Sequence, residues 1–307
     1  MTESEKQTWL KERKTYIGGS DIGCILGLSK YKSALDIYLE KTTDIIEEAT
    51  SEAAYWGNIL EDIVAKEYSN RTGNSIKKSK GLIRHPKYKF LAVNIDRWVI
   101  KDDGKKHVLE CKTASFTKNK LWGEEGTDQI PEQYLCQVAY YAAICDVERV
   151  DIAVLIGGQG FRMYTYQKNE EFEGKLISAA IAFWNNYVAK GVAPEASNSS
   201  DIAKLYPKSN GLEIEATTEL THQVEELKAL KMQEKSIVSA KVEIETKIKS
   251  SIGFCESLVG QDGLLLATWK SGKPRKVLDV KKLQAEHKGI YQQYLTEKEG
   301  GRTLLVK

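Results

Sequence analysis

FLAVNIDRWVIKDDGKKHVLECKTA, residues 90–114, decides the reading of this chain. Residues 90–100 and 107–113 alternate side chains as two strands do. Between them lies Lys101-Asp102-Asp103-Gly104-Lys105. A three-residue loop with glycine last fits a type I turn closed by a glycine bulge. That loop pairs Lys101 with Lys105, and the same register pairs Asp96 with Glu110. Opposed side chains in such a pair stand roughly 4.5–5.5 Å apart. Alternation puts Asn94 and Asp96 on one face. On the second strand Glu110 and Lys112 share a face and Cys111 points away. Two carboxylates this close repel unless a cation lies between them. Magnesium, a hard dication, suits one or two carboxylates plus phosphate oxygens. Lys112 reaches the same place, where it can stabilise charge on a phosphate or position a water. An acid, a gap and Glu-x-Lys is the layout of a metal-dependent phosphodiesterase. It is also short enough to arise in an ordinary surface hairpin whose acids are neutralised by lysines.

The flanking sequence predicts a mixed sheet with helices around it, an α/β (α+β) core. Residues 5–40 read as helical with a break at Gly18-Gly19-Ser20-Asp21, and 44–51 as a loop. A helix follows over 52–71, with Trp56, Ile59, Leu60, Ile63 and Val64 as its apolar stripe. Glu61 lies off that stripe. A short strand at 81–84 precedes the hairpin. Beyond it a helix runs from Pro131, a good first-turn residue, to Cys145. Its Gln133, Gln137, Tyr140 and Ile144 share one face, and a Gln there can orient a water or phosphate. Strands at 150–156 and 161–167 flank a glycine-rich turn, and a helix over 169–190 closes the region. The domains expected are a nuclease core at 1–195, a linker at 196–212, a long charged helix at 213–252 and a small α+β unit at 253–307. The last would hold one helix near 279–295 and a final strand at 302–307.

The 307 residues carry 45 Lys and Arg against 43 Asp and Glu, a net charge of +2. With no global basic excess, a polyanion must bind a local patch. Candidates are Lys77, Lys78 and Lys80; Arg84, Lys87 and Lys89; and Lys273, Arg275 and Lys276. The N-terminus lacks the apolar core of a signal peptide, and no run is long enough to span a bilayer. A cytoplasmic location is expected. Five scattered cysteines give no disulfide framework, and four histidines with no Cys-x-x-Cys pair argue against zinc.

Taken in chain order, Gly18-Gly19-Ser20-Asp21-Ile22, Trp56-Gly57-Asn58-Ile59-Leu60-Glu61, Asn94-Ile95-Asp96-Arg97, Leu109-Glu110-Cys111-Lys112-Thr113 and Gln137-Val138-Ala139-Tyr140-Tyr141 resemble the YqaJ-type viral recombinase family. That family stands with phage lambda exonuclease among the Asp…Glu-x-Lys, RecB-like nucleases. The resemblance runs through most of residues 8–190, and the tail also looks like the ending of many such proteins. It implies a restriction-endonuclease-like core with a helical C-terminal extension. It implies that Asp96, Glu110 and the Cys111 carbonyl hold magnesium, with manganese as a substitute. Glu61 would lie near a second metal, Lys112 would be the catalytic lysine, and Gln137 and Tyr141 would complete a Gln-x-x-x-Tyr signature. Arg13 and Ser20, seven apart, would grip a 5′ phosphate, with Asn94 nearby and Lys118 as a further phosphate-binding base. The implied activity is a 5′–3′ exonuclease on linear duplex DNA that leaves 3′ overhangs. A homotrimer, a single-strand annealing protein as partner and a phage or prophage origin in a bacterial cell come with it. The cysteines lack the layout of the iron–sulfur branch. Two other readings remain: a structure-specific or restriction-type endonuclease on the same core, and a non-catalytic DNA-binding protein on a decayed one.

Overall fold

The computed structural model describes residues 11–43, 51–101, 104–297 and 300–307. The chain divides into two units, Met1–Leu205 and Tyr206–Lys307.

The first unit opens with α1 (Gly19–Ile25), α2 (Ala34–Thr42) and α3 (Glu52–Thr72). Ser33 and Ser51 cap α2 and α3 by accepting the Asp36 and Ala54 amides, and Gly73, at φ 72°, ends α3. Strands β1 (Ser75–Lys78), β2 (Ile83–Arg84), β3 (Ala92–Val93), β4 (Arg97–Ile100) and β5 (Lys106–Ala114) follow. Then come α4 (Glu132–Cys145), β6 (Arg149–Ile156), β7 (Gly160–Gln167) and α5 (Glu170–Phe183), which runs into a π turn at Trp184–Val188. The main sheet has the order β1-β4-β5-β6-β7, with only the β5–β6 pair parallel. This is the expected mixed sheet flanked by helices.

Successive side chains of β5 and β6 serve opposite layers, as pleating requires. Val108, Val150, Ile152 and Val154 pack with Val138 and Ala139 of α4 and Leu176 of α5. Leu109 and Ala153 pack with Val64, Ala65 and Tyr68 of α3. Buried on both faces, β6 reads as a nearly continuous apolar run. A further tie fixes α3 from inside. Asp151 of β6 is buried and accepts from Tyr68 (2.5 Å), His107 Nε2 (2.9 Å), Thr165 Oγ1 (2.9 Å) and, through both oxygens, Arg149 (2.6 and 2.9 Å). Burial alone would raise its pKa; the hydrogen bonds from His107, Arg149 and Tyr68 overturn that and hold it down at about 2.

Several expectations need correction. Residues 90–100 do not form one strand: the ladder breaks at Asn94–Asp96 between β3 and β4. The break arises because Leu91 bridges to Ile17 and Ala92–Val93 pairs with β2, whereas β4 joins the main sheet. The strand β1 went unpredicted, since Ser75-Ile76-Lys77-Lys78 is an edge strand with one inward apolar residue. On α3 three members of the expected stripe, Trp56, Ile59 and Ile63, are exposed and Leu60 is half-buried; only Val64 of that stripe is buried, together with Ala65 and Tyr68. Pro131 is the N-cap of α4 and not its first helical residue. Part of the 5–40 stretch and all but one residue of the 44–51 loop lie outside the described residues.

The segment expected as a linker contains α6 (Ser199–Leu205), which belongs to the first unit. Its buried Asp201 accepts from Ser33 Oγ (2.8 Å) and from the amide and hydroxyl of Ser197 (2.9 and 2.8 Å). In the second unit α7 (Thr218–Ile252) runs 35 residues, with i,i+4 pairs such as Glu243–Lys247 at 2.6 Å on its surface. A hairpin of β8 (Ser257–Val259) and β9 (Leu265–Thr268) follows. Two short helices, α8 (Val280–Glu286) and α9 (Lys288–Gln293), stand where one was expected. Residues 302–307 form no strand. Among the described residues no helix is long and apolar enough to cross a membrane.

Candidate metal and phosphate site

Hairpin β4–β5 has the register its loop predicts. Lys101 N–H donates to the Lys105 carbonyl at 2.9 Å, Gly104 takes φ 78°, and Arg97 and Trp98 face Leu109 and Val108. One step further, that register sets Asp96 opposite Glu110. Asp96 Oδ2 accepts the Cys111 amide at 2.8 Å, so one of its oxygens is already fixed to β5.

Glu110 is 3% exposed. Its Oε1 accepts from Lys112 Nζ (2.5 Å) and Gln137 Nε2 (2.8 Å). Its Oε2 is buried with no hydrogen-bond partner. A buried carboxylate oxygen without a donor is costly and calls for a cation or water. Beside it, burial first and then the Glu110 charge push the Asp96 carboxyl up to about 8. Glu61 adds to that push, and the Cys111 amide opposes it. An Asp96 carboxyl whose charge is disfavoured beside Glu110, together with the orphan Glu110 oxygen, fits a divalent cation. Among the described residues no three Asp, Glu, His or Cys side chains converge as a ready-made metal cluster. Asp96 and Glu110 would therefore hold a cation with backbone, water or phosphate oxygens as the remaining ligands.

Lys112 sits between these acids and the α4 helix. Burial works against its charge, but Glu110 overcomes this and its pKa is raised, so it stays an ammonium. It also donates to Gln137 Oε1 (3.1 Å) and lies 4.9 Å from the centre of the Tyr134 ring. Gln137 thus bridges Lys112 and Glu110 and also donates to Tyr141 Oη at 2.7 Å. Tyr141 in turn donates to the Asn94 carbonyl at 3.3 Å, while the Asn94 side chain is exposed. The Cys111 thiol is driven far upward by burial and by Asp96 and Glu110, so it remains protonated.

The glycine break meets this cluster directly. A Cβ on Gly19 would stand 2.3 Å from Tyr141 Cε1, so only glycine lets α1 approach α4 there. Arg13 reaches Ser20 Oγ at 3.2 Å and Asp21 at 2.9 Å. Asp21 is also paired with the fully buried Lys41 at 2.8 Å. Desolvation opposes its charge, but Lys41 and Arg13 hold its carboxyl down at about 2. Lys118 stands apart from the acids, with its ammonium on the Tyr31 hydroxyl and ring.

The direction of Glu61 and its pairing with Arg97 escaped the periodicity of the sequence. Glu61 faces the sheet, because Val64, Ala65 and Tyr68 lie three, four and seven residues on and are buried. Its partner is Arg97, whose Nη1 donates to Glu61 Oε1 (2.7 Å) and to the Asp96 carbonyl (2.7 Å), while Nη2 pairs with Asp62. An arginine beginning a strand right after Asp96 must point to the opposite layer, toward α3; that was the available signal.

The chain is similar to several known proteins. The Bacillus subtilis (strain 168) protein described as uncharacterized protein YqaJ is 35% identical over 304 residues, covering 96% of this chain and 92% of its own length. Among solved structures, an alkaline exonuclease (LHK-Exo) from Laribacter hongkongensis matches at 15% identity and a TM-score of 0.47, over 60% of this chain and 93% of that one. A phage-related exonuclease from Haemophilus somnus 129PT matches at 16% and 0.39, over 57% and 96%. Residues 8–148 match the profile of the YqaJ-like viral recombinase domain, and that span contains every residue of the Asp96–Glu110–Lys112–Gln137–Tyr141 cluster. The chain belongs to the YqaJ-like viral recombinase family.

Proposed function

We propose that this protein is a magnesium-dependent exonuclease that degrades one strand of linear duplex DNA from its 5′ end. The observation that carries the reading is the buried Oε2 of Glu110, without a hydrogen-bond partner, on a side chain whose charge, after burial, pushes the neighbouring Asp96 carboxyl up. Asp96 and Glu110 would hold the cation, with the Cys111 carbonyl beside them and Glu61 near a second position. A bound magnesium supplies Lewis acidity toward the phosphate and lowers the pKa of water. Lys112, held charged against Glu110, stabilises negative charge on the reacting phosphate. Gln137 fixes the Lys112 and Glu110 side chains relative to each other and to Tyr141. Arg13 and Ser20 would take the 5′ phosphate, with the guanidinium handed from Asp21 to the ligand. Asn94 and Lys118 would contact the backbone of the strand. By family, the 3′ overhangs would pass to a single-strand annealing protein inside a bacterial host, and the enzyme would act as a homotrimer, with manganese able to replace magnesium.

The test uses end-labelled linear duplex and closed circular duplex, each with and without magnesium. Linear DNA should be shortened from 5′ ends only when magnesium is present, and Glu110→Gln should abolish it. Cutting of the closed circle would favour an endonuclease on the same core. Unchanged degradation by Glu110→Gln would overturn the metal-site assignment.

A further inference from the structure

We propose that a lysine-walled cleft beside β1 and β4 is a second DNA-backbone subsite, holding duplex phosphates at a distance from the point of cleavage. The proposal rests on the nuclease reading above and adds a binding site to it. The cleft has a volume of about 550 Å3. Its walls are Lys77, Lys78, Lys80 and Lys106, and its floor includes Trp98 and Ile144. Not one carboxylate is among its described lining residues. The Lys106 ammonium lies 4.3 Å from the centre of the Trp98 ring. Lys78 has a loose contact with Asp62 at 3.8 Å, both side chains being largely exposed.

The cleft adjoins the strand break that carries Asp96: the Ser79 amide, inside the 77–80 lysine segment, donates to the Asp96 carbonyl at 3.4 Å. Trp98 pairs with Val108, which puts it and Lys106 on the same sheet face as Glu110. Lys106 is four residues before Glu110, roughly 13 Å at ~3.3 Å per residue. A duplex strand carries a phosphate every ~3.4 Å of axis, so the two sites lie about four base-pair steps apart.

Lysines on an outer strand often serve only to block edge-to-edge pairing. That accounts for Lys77 and Lys78 on β1. It does not account for Lys80, which follows the strand, or for Lys106 on the central strand β5, aligned over an indole. By the register Lys77 lies opposite Trp98 while Lys78 turns to the other face, toward Asp62, so Lys77, Lys80 and Lys106 are the cations around the aromatic floor; with no acid among the described lining residues, they offer what a phosphodiester backbone requires.

The experiment measures duplex binding against salt in a Glu110→Gln background, where the DNA is bound but not cut. Each lost lysine–phosphate contact flattens the slope of log K against log salt by about 0.9. Lys80→Ala/Lys106→Ala should therefore flatten it by about 1.8 and weaken binding by up to about 60-fold near ~0.1 M salt. Lys190→Ala, on an exposed turn after α5, serves as the charge control. Acetylation footprinting should show Lys80 and Lys106 protected by duplex DNA. If the double variant matches its parent, or Lys190→Ala flattens the slope as much, the cleft is not a subsite. If the wild-type chain degrades no DNA and its Glu110→Gln form binds none, the nuclease reading itself fails.

Discussion

Magnesium binding should expel a proton from Asp96, and this can be sized. With its carboxyl pushed up to about 8, Asp96 is about nine-tenths protonated at pH 7 and about nine-tenths ionised at pH 9. A cation that needs both carboxylates ionised must displace that proton. Its apparent affinity should then rise about tenfold from pH 7 to pH 9, ~1.4 kcal/mol, with ~0.9 proton released per ion at pH 7. Titration calorimetry in buffers of different ionisation enthalpy counts the protons. The metal-free chain should respond with the opposite sign. The folded pKa lies above the ordinary 3.8, so the stability Asp96 contributes is complete below about pH 4 and is lost as the pH climbs through about 8. Asp96→Asn should remove that slope from the metal-free melting curve. Affinity constant within twofold from pH 7 to pH 9, with no proton released, would refute the proposed pairing of Asp96 with Glu110.

Other outcomes follow from the same contacts. Glu110→Gln should lower DNA degradation by at least ~10²-fold while the fold, read by circular dichroism, is kept. Arg13→Ala should slow attack on 5′-phosphorylated ends far more than on 5′-hydroxyl ends; equal slowing would remove Arg13 from the phosphate site. Gly19→Ala forces a Cβ into the Tyr141 ring and should cost ~1–3 kcal/mol in denaturant unfolding, with a loss of activity beyond what the unfolded fraction explains. Asp151→Ala leaves Tyr68, His107 and Arg149 without their common acceptor and should destabilise the protein by ~2–4 kcal/mol; a melt unchanged within error would show that the network does not anchor α3.

The hairpin was legible because its information is local. A glycine at the bulge position and strict alternation fix the register, and the register brings Asp96 to Glu110. The α3 face was not legible in the same way. Hydropathy weights Trp56, Ile59 and Ile63, yet the buried side is carried by small Ala65 and by Tyr68, whose hydroxyl is satisfied by Asp151 eighty-three residues away. That error put Glu61 off the packed face, although the family resemblance singles it out. Helix α6 was hidden by its Ser- and Asn-rich composition, which reads as linker until Asp201 finds Ser33 across 168 residues. Long-range polar pairs of this kind leave no periodic trace in a sequence. Gly18-Gly19 read as a break in a helical stretch, while the tight constraint on Gly19 comes from the distant Tyr141 ring.

That ring has a consequence for how the protein would measure DNA. Tyr141 touches Gly19 on one side, while its hydroxyl joins Gln137 and the Asn94 carbonyl on the other. Ser20 and Arg13 stand on the first side and the carboxylates on the second. On the proposed reading, the gap between the gripped 5′ end and the cut bond is therefore spanned by a single rigid spacer with no loop in it. The increment removed in each cycle would then be a fixed length built into the interior, insensitive to sequence and to changes on the surface.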